Sequence, residues 1–90
     1  MNTVTIVVPP SLRRYVDGQS RVPVEAATVR GALDALTVGS NALHAHLFDQ
    51  ANEVNRFVRV FVNGCPIRSI ENDKVADGAV VTILLALAGG

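Results

Sequence analysis

Apolar residues occur along this chain in short runs, and the spacing within each run indicates the element that it forms. The run Thr3–Val8 is β-branched throughout and predicts a strand, which two prolines end because they have no amide hydrogen for a neighbouring strand. Polar and apolar residues alternate at Arg21–Glu25, which predicts a half-buried second strand, and Pro23 assigns it to an edge of the sheet. Residues 11–20 between them are polar, and the Asp17-Gly18 pair predicts a turn.

The main helix is predicted at residues 28–38. Thr28 is suited to cap its amino terminus, and Gly39 stands where a left-handed residue would end it. Its apolar residues recur at i, i+3, i+4 and i+7 and form one stripe that can pack on a sheet: Val29, Ala32, Leu33 and Leu36.

A shorter second helix is predicted at residues 42–48. Leu43 and Leu47 lie one helical turn apart, after a residue suited to cap the helix, either Ser40 or Asn41. A polar linker is expected to follow at 49–55.

The segment Phe57–Val62 predicts a strand with two different faces. Strand alternation puts three valines on one face, Val58, Val60 and Val62, and puts Phe57, Arg59 and Phe61 on the other. The Asn63-Gly64 pair then predicts a hairpin into a fourth strand at Cys65–Ser69.

The last strand is predicted at Ala79–Leu85, after a turn at Asp77-Gly78. Its near-continuous apolar run favours a central position in the sheet. The predicted fold class is therefore α+β: a mixed five-stranded sheet with one main helix on one face and a short second helix. The β-grasp of ubiquitin-like proteins has this order and pairs its first and last strands at the centre. We expect a β-grasp domain at 1–85 and a flexible tail at 86–90.

Composition narrows the range of functions. The 90 residues suffice for one domain, and 49% hydrophobic against 18% charged residues excludes a disordered chain. Eight basic and eight acidic residues give a net charge of +0, which disfavours nucleic acid and anionic membranes as partners. The longest apolar stretch, Ala79–Ala88, is too short to span a membrane, and no basic-then-apolar leader begins the chain, so a cytoplasmic location is expected.

Few side chains suggest chemistry of their own. The sequence contains no phosphate-binding glycine loop, no metal-ligand spacing and no nucleophile elbow. His44 and His46 would point about 200° apart on a helix, so they are predicted to be solvent-exposed and not to share a metal. Cys65 at a hairpin tip is more often incidental than a nucleophile. Three arginines near the third and fourth strands form a cluster that an acidic partner could use: Arg56, Arg59 and Arg68.

The carboxyl end carries the strongest chemical signal. Residues 86–90 leave a strand predicted to be central and end in Gly89 and Gly90. Glycine has no Cβ to obstruct a narrow active site, so such a tail could present its carboxylate alone as a reactant. Glycines are also common at frayed termini. Their place directly after an apolar central strand favours the functional interpretation.

The sequence resembles the ubiquitin-like sulfur-carrier family, which serves thiamin, molybdopterin and cysteine synthesis. The resemblance covers almost the whole chain and rests on three segments: TVTIVVPPSLRRYV, RFVRVFVNG and DGAVVTILLALAGG. The chain is most similar to the cysteine-synthesis carriers of actinobacterial type. Leu85 departs from the pattern, because relatives often have proline there.

This resemblance implies a protein cosubstrate and not an enzyme. An E1-like enzyme would use ATP to adenylate Gly90, next to Gly89, and convert it to a thiocarboxylate. In the cysteine branch a pyridoxal-phosphate synthase accepts the sulfur, and a metalloprotease releases the product. No cofactor or metal would be bound by the chain itself. Partner contacts are expected from the tail and one sheet face: Ala86, Leu87, Ala88, Phe57, Arg59 and Phe61.

Several alternatives remain open at the level of sequence. The chain could be the small subunit of a molybdopterin synthase, or a sulfur carrier for thiamin or a secondary metabolite. It could also be a ubiquitin-like binding module, or a protein modifier that forms amide links through Gly90.

Overall fold

A computed structural model describes residues 2–67 and 73–86 of the chain. Five strands and three helical segments occur in this order: β1 (Asn2–Val7), a 3-10 helix (Pro10–Val16), β2 (Arg21–Ala26), α1 (Val29–Thr37), α2 (Asn41–Leu47), β3 (Val58–Val62), β4 (Cys65–Pro66) and β5 (Val80–Leu85).

The strands form one mixed sheet in the order β2-β1-β5-β3-β4. β5 lies parallel to β1 and antiparallel to β3, so the first and last strands are central, as predicted. β2 is an edge strand, which confirms the assignment made from Pro23. This topology is that of the ubiquitin-like β-grasp, and the predicted fold class is confirmed.

The two predicted caps are present. The hydroxyl oxygen of Thr28 accepts a hydrogen bond from the amide of Gly31 at 3.0 Å, and that of Ser40 accepts from the amide of Leu43 at 3.1 Å. Each bond satisfies an amide that the first helical turn leaves without a partner. Of the two candidate caps for α2, Ser40 is therefore the one used.

The prediction of a left-handed C-cap at Gly39 is wrong. The residue that ends α1 is Val38, with φ of −58° and ψ of −32°, and Gly39 is absent from the positive-φ residues. The amide of Ser40 donates to the carbonyl oxygen of Thr37 at 3.0 Å. This bond closes a right-handed turn directly into the cap of α2, so no left-handed residue is needed.

The 3-10 helix was not predicted. Leu12 anchors it in the core with 2% of its surface exposed, and the guanidinium of Arg13 donates to the carbonyl oxygen of Val8 at 3.0 Å. The predicted turn at its end is confirmed, because Asp17 and Gly18 have φ values of 56° and 76°.

The core lies between α1 and one face of the sheet, which we call the inner face. Its most deeply buried side chains include Ile6, Leu33 and Ile83, and Val58 and Val60 lie on the same side at 6% exposure. Among the described residues, no helix packs on the opposite face of the sheet, and this face holds the candidate functional residues. Within the described parts of the chain, no helix is long and apolar enough to cross a membrane.

Candidate functional site

The helix-free side of the sheet, which we call the outer face, is built by strand register. Residues directly opposite on neighbouring strands project to the same side. Arg21, Val7, Thr82 and Phe61 are paired in turn across β2, β1, β5 and β3, and they form one row of this face. Arg59 pairs with Leu84 in the next row. The outer face therefore presents apolar side chains between arginines.

The three side chains predicted for docking lie on this face. Phe57 directly precedes β3 and has 36% of its surface exposed, whereas the prediction had started the strand at that residue. Arg59 is exposed and Phe61 is half-buried. Their alternation with buried Val58 and Val60 is confirmed.

The base of the predicted tail is fixed to the same strand. The amide of Ala86 donates to the carbonyl oxygen of Phe57 at 2.7 Å. Ala86 is half-buried, and the remaining tail residues named as site residues, Leu87 and Ala88 with Gly89 and Gly90, lie outside the described residues. The structure thus shows where the tail leaves the sheet, beside Phe57.

Two of the three clustered arginines are held next to this point. The guanidinium carbon of Arg56 lies 4.9 Å from the ring centroid of Phe57, within the range of a cation–π contact. Nη1 of Arg59 donates to the carbonyl oxygen of Arg56 at 2.6 Å and lies 3.3 Å from that of Val58. Arg68 lies outside the described residues.

An open groove of about 310 Å³ runs beside these arginines. Its walls come from the segment before β3, from β3 itself and from the start of β4: Val54, Asn55, Arg56, Val58, Arg59, Val60, Phe61, Pro66 and Ile67.

Sequence reasoning missed Leu84 and Arg21 as members of this surface. Leu84 is 47% exposed, although it belongs to the most apolar strand of the chain. The apolar run correctly indicated that β5 is central in hydrogen bonding, but a central strand can still have one open face. Alternation from buried Ile83 could have identified Leu84 as outward-facing.

The other candidate residues lie elsewhere. The ring of His44, which is half-buried, stacks on Phe48 with centroids 4.7 Å apart, while Nε2 of exposed His46 lies 3.0 Å from the hydroxyl oxygen of Tyr15. The two histidines thus point to different neighbours, as their spacing predicted. The prediction that both are solvent-exposed is wrong for His44, because its ring packs against Phe48. Cys65 is exposed and pairs with Val62 at the end of β3 opposite to the tail base. No metal-binding cluster of His, Cys, Asp or Glu occurs among residues 2–67 and 73–86.

Known proteins match nearly the full length of the chain. The model of the ThiS family matches residues 6–90. The sulfur carrier protein CysO of Mycobacterium tuberculosis is 32% identical, over 97% of this chain and 98% of the relative. The crystal structure of the Amycolatopsis orientalis BexX/CysO complex matches with a TM-score of 0.85 and 32% identity, over 97% of this chain and 99% of that chain. SAMP1 from Haloferax volcanii matches with a TM-score of 0.84 and 26% identity, over 99% of this chain and all of its own.

Proposed function

The chain belongs to the ThiS family of ubiquitin-like sulfur carriers, and we propose that it carries its sulfur as a thiocarboxylate on Gly90. As a sulfur carrier it is a protein cosubstrate and not a catalyst. The family match extends through Gly90, and the tail that bears this residue starts from the central strand at Ala86. That position of the tail is the observation that supports the proposal.

The proposed chemistry has two steps. In the first, a carboxylate oxygen of Gly90 attacks the α-phosphorus of ATP on an E1-like enzyme, and pyrophosphate leaves. In the second, a sulfur nucleophile attacks the carbonyl carbon of the acyl-adenylate, and AMP leaves with the oxygen that linked it. Activation splits one difficult substitution into two easier ones. The catalytic groups, and the ATP, belong to the partner enzyme.

The tail has the reach and the slenderness that this chemistry needs. Four residues follow Ala86, and a fully extended chain spans at most about 3.6 Å per residue, or about 14 Å in all. The last two residues lack a Cβ, so they can enter a narrow channel that would reject a branched side chain. Ala86, Leu87 and Ala88 are proposed to line the entrance of that channel.

Cysteine biosynthesis is the pathway we propose. The curated relatives that match across nearly the full chain are sulfur carriers named CysO. The acceptor would be a synthase that uses pyridoxal phosphate, and the solved CysO complex with BexX is a precedent for a stable partner of such a carrier. Release of the product by a metalloprotease and a cytoplasmic location stay predictions from the resemblance.

The body of the carrier is proposed to dock through the outer face. Phe57 is bonded to the tail base, and Arg59 and Phe61 follow it on β3, so a partner that receives the tail comes close to all three. Apolar area beside cationic groups is a common composition for a protein interface.

Intact-mass spectrometry tests the proposal. The chain is incubated with an E1-like adenylating enzyme, ATP and sulfide, and compared with a chain that lacks Gly90. We expect a mass gain equal to the exchange of one oxygen for sulfur, confined to the full chain. No gain with any of several such enzymes would contradict the proposal.

Protein modification is a second candidate function, favoured by the match to SAMP1 of Haloferax volcanii, the small archaeal modifier protein 1. In that case an amine of a target would replace sulfide as the nucleophile. High-mass conjugates joined through Gly90 to lysine would identify this activity. Co-purification with a larger synthase subunit would instead favour the molybdopterin alternative, and the thiamin and secondary-metabolite acceptors would be told apart by the product formed. A plain binding module would be indifferent to loss of the tail.

A further inference from the structure

The charges of this neutral protein are separated along the outer face. Arg56 and Arg59 lie beside the point where the tail leaves the sheet, and Arg21 begins β2 next to the end of β1, whereas Glu25 and Asp77 lie at the end where β1 begins. The rows of Thr3 and Val7 on β1 are four residues apart, which separates the two ends by about 13 Å. A net charge of zero therefore conceals a directional field.

The arginine end is held in place by specific contacts. Arg56 is stacked on the ring of Phe57, and Nη1 of Arg59 is bonded to the carbonyl oxygen of Arg56. Among the residues that the structure describes, the recorded ion pair is Arg30 with Asp34 on α1, away from this face. The charges of Arg56 and Arg59 are consequently left for an incoming partner.

The acidic end is fixed in the same way. The hydroxyl of Thr3 donates to a carboxylate oxygen of Glu25 at 2.9 Å, and the amide of Thr3 donates to Asp77 at 2.8 Å. One residue thus orders both carboxylates at the start of β1. The polarity is a property of the folded sheet, because residues far apart in sequence are brought to each end.

Apolar side chains lie between the arginines. Phe57 and Leu84 are 36% and 47% exposed, and Phe61 and Val7 are half-buried beside them. Burial of this apolar surface on docking provides affinity, but it does not fix the orientation of the partner. The direction has to come from the charges at the two ends.

We propose that the outer face docks against an apolar patch on the activating enzyme. Carboxylates of the enzyme are grouped at the edge of that patch where the tail enters. This inference rests on the proposed function and adds the chemistry and the orientation of the partner. In this orientation the enzyme's carboxylates lie next to Arg21, Arg56 and Arg59 and attract them. In the reversed orientation the same carboxylates would lie against Glu25 and Asp77 and repel them. The field therefore aims the tail at the active site before contact.

Charge reversal at the arginine end tests this assignment. The rate of thiocarboxylate formation is measured as a function of the concentration of the carrier, at low ionic strength. The enzyme used is one that forms the thiocarboxylate on the unaltered protein. The double variant Arg56→Glu, Arg59→Glu is expected to raise KM about tenfold or more and to leave kcat within about twofold, because the charges steer association and do not touch the reacting atoms. Added salt should raise KM for the unaltered chain and change it much less for the variant.

Two further variants keep the test independent of folding. Arg21→Glu lies on the other side of these apolar side chains and should raise KM in the same direction, even if loss of the Arg59 contacts destabilises the double variant. Lys74→Glu is the matched control for Arg21→Glu: Lys74 is exposed, it pairs with Thr28 beside the acidic end, and its reversal changes the net charge by the same amount as Arg21→Glu. Its KM should stay within about twofold of the unaltered value.

The outcomes separate the inference from the function it rests on. Unchanged KM in both arginine variants, or an equal rise in the Lys74→Glu control, would overturn the inference while sulfur carriage stands. If no enzyme forms the thiocarboxylate on the unaltered chain, the proposed function is wrong and this inference is wrong with it.

Discussion

The amide nitrogen of Ala86 lies 2.7 Å from the carbonyl oxygen of Phe57, and this hydrogen bond joins the base of the tail to the residue whose ring begins the outer face. The bond uses only the backbone of Phe57, and the residue keeps 36% of its surface exposed beside the guanidinium of Arg56. A partner bound to this ring is therefore held at a set distance from the point where the tail leaves the sheet.

Widening the tail should block the reaction and leave the fold intact. In the variant Gly89→Val, a branched side chain would stand next to the reacting carboxylate, and a channel shaped for glycine would exclude it. We expect thiocarboxylate formation to fall by about 10²-fold or more, at an unchanged thermal midpoint. Intact-mass kinetics and circular dichroism measure the two effects. A variant that reacts at the normal rate would show that the tail is not enclosed.

Neighbouring residues of β5 should separate stability from docking. Ile83 is 1% exposed on the inner face, so Ile83→Ala should cost about 2–5 kcal/mol of unfolding free energy through the lost contacts and the cavity. Leu84 is 47% exposed on the outer face, so Leu84→Ala should cost less than about 1 kcal/mol and instead raise KM with the activating enzyme. Urea unfolding and KM measurements test the pair. Equal stability losses would argue against the two-faced sheet.

Two glycines should respond oppositely to alanine. Gly39 does not have a positive φ, and a Cβ there would meet no atom within 4 Å. Gly39→Ala should therefore stabilise the protein by about 0.4–1 kcal/mol, because it restricts the unfolded chain. Gly64 has φ of 85°, so Gly64→Ala should destabilise it by about 1 kcal/mol or more. A destabilising effect of Gly39→Ala would instead indicate that Gly39 has the left-handed conformation predicted from the sequence.

The single cysteine should be dispensable for sulfur transfer. Cys65 pairs with Val62, whereas the tail begins opposite Phe57, five residues back along the chain. At about 3.3 Å per residue the two sites are separated by about 17 Å, more than the extended tail spans. We expect Cys65→Ser to form thiocarboxylate at the normal rate. A pronounced loss of rate in intact-mass kinetics would assign the thiol a role that the fold does not suggest.

Much of the fold follows from local pattern. Thr28 is predictable as a cap because a hydroxyl just before an apolar helical stripe can accept a hydrogen bond from an amide of the first turn. The alternation of Val58 with Arg59 likewise predicts the face of each side chain correctly. The 3-10 helix at Pro10–Val16 escaped prediction because its single buried residue, Leu12, establishes no period. The cap at Gly39 was wrong because the competing bond from Ser40 to Thr37 depends on how close α2 begins.

The amino-acid sequence by itself determined the order of the elements and the central position of the last strand, because these depend on local periodicity. It also predicts the glycine tail as the reactive end, from chemistry at single positions. The tertiary structure alone decided that Leu84 is open to a partner, that Arg21 faces the same side as Arg59, and that Thr3 orders two carboxylates at the opposite end. Those relationships are between residues distant along the chain, and strand pairing is the interaction that brings them to one surface.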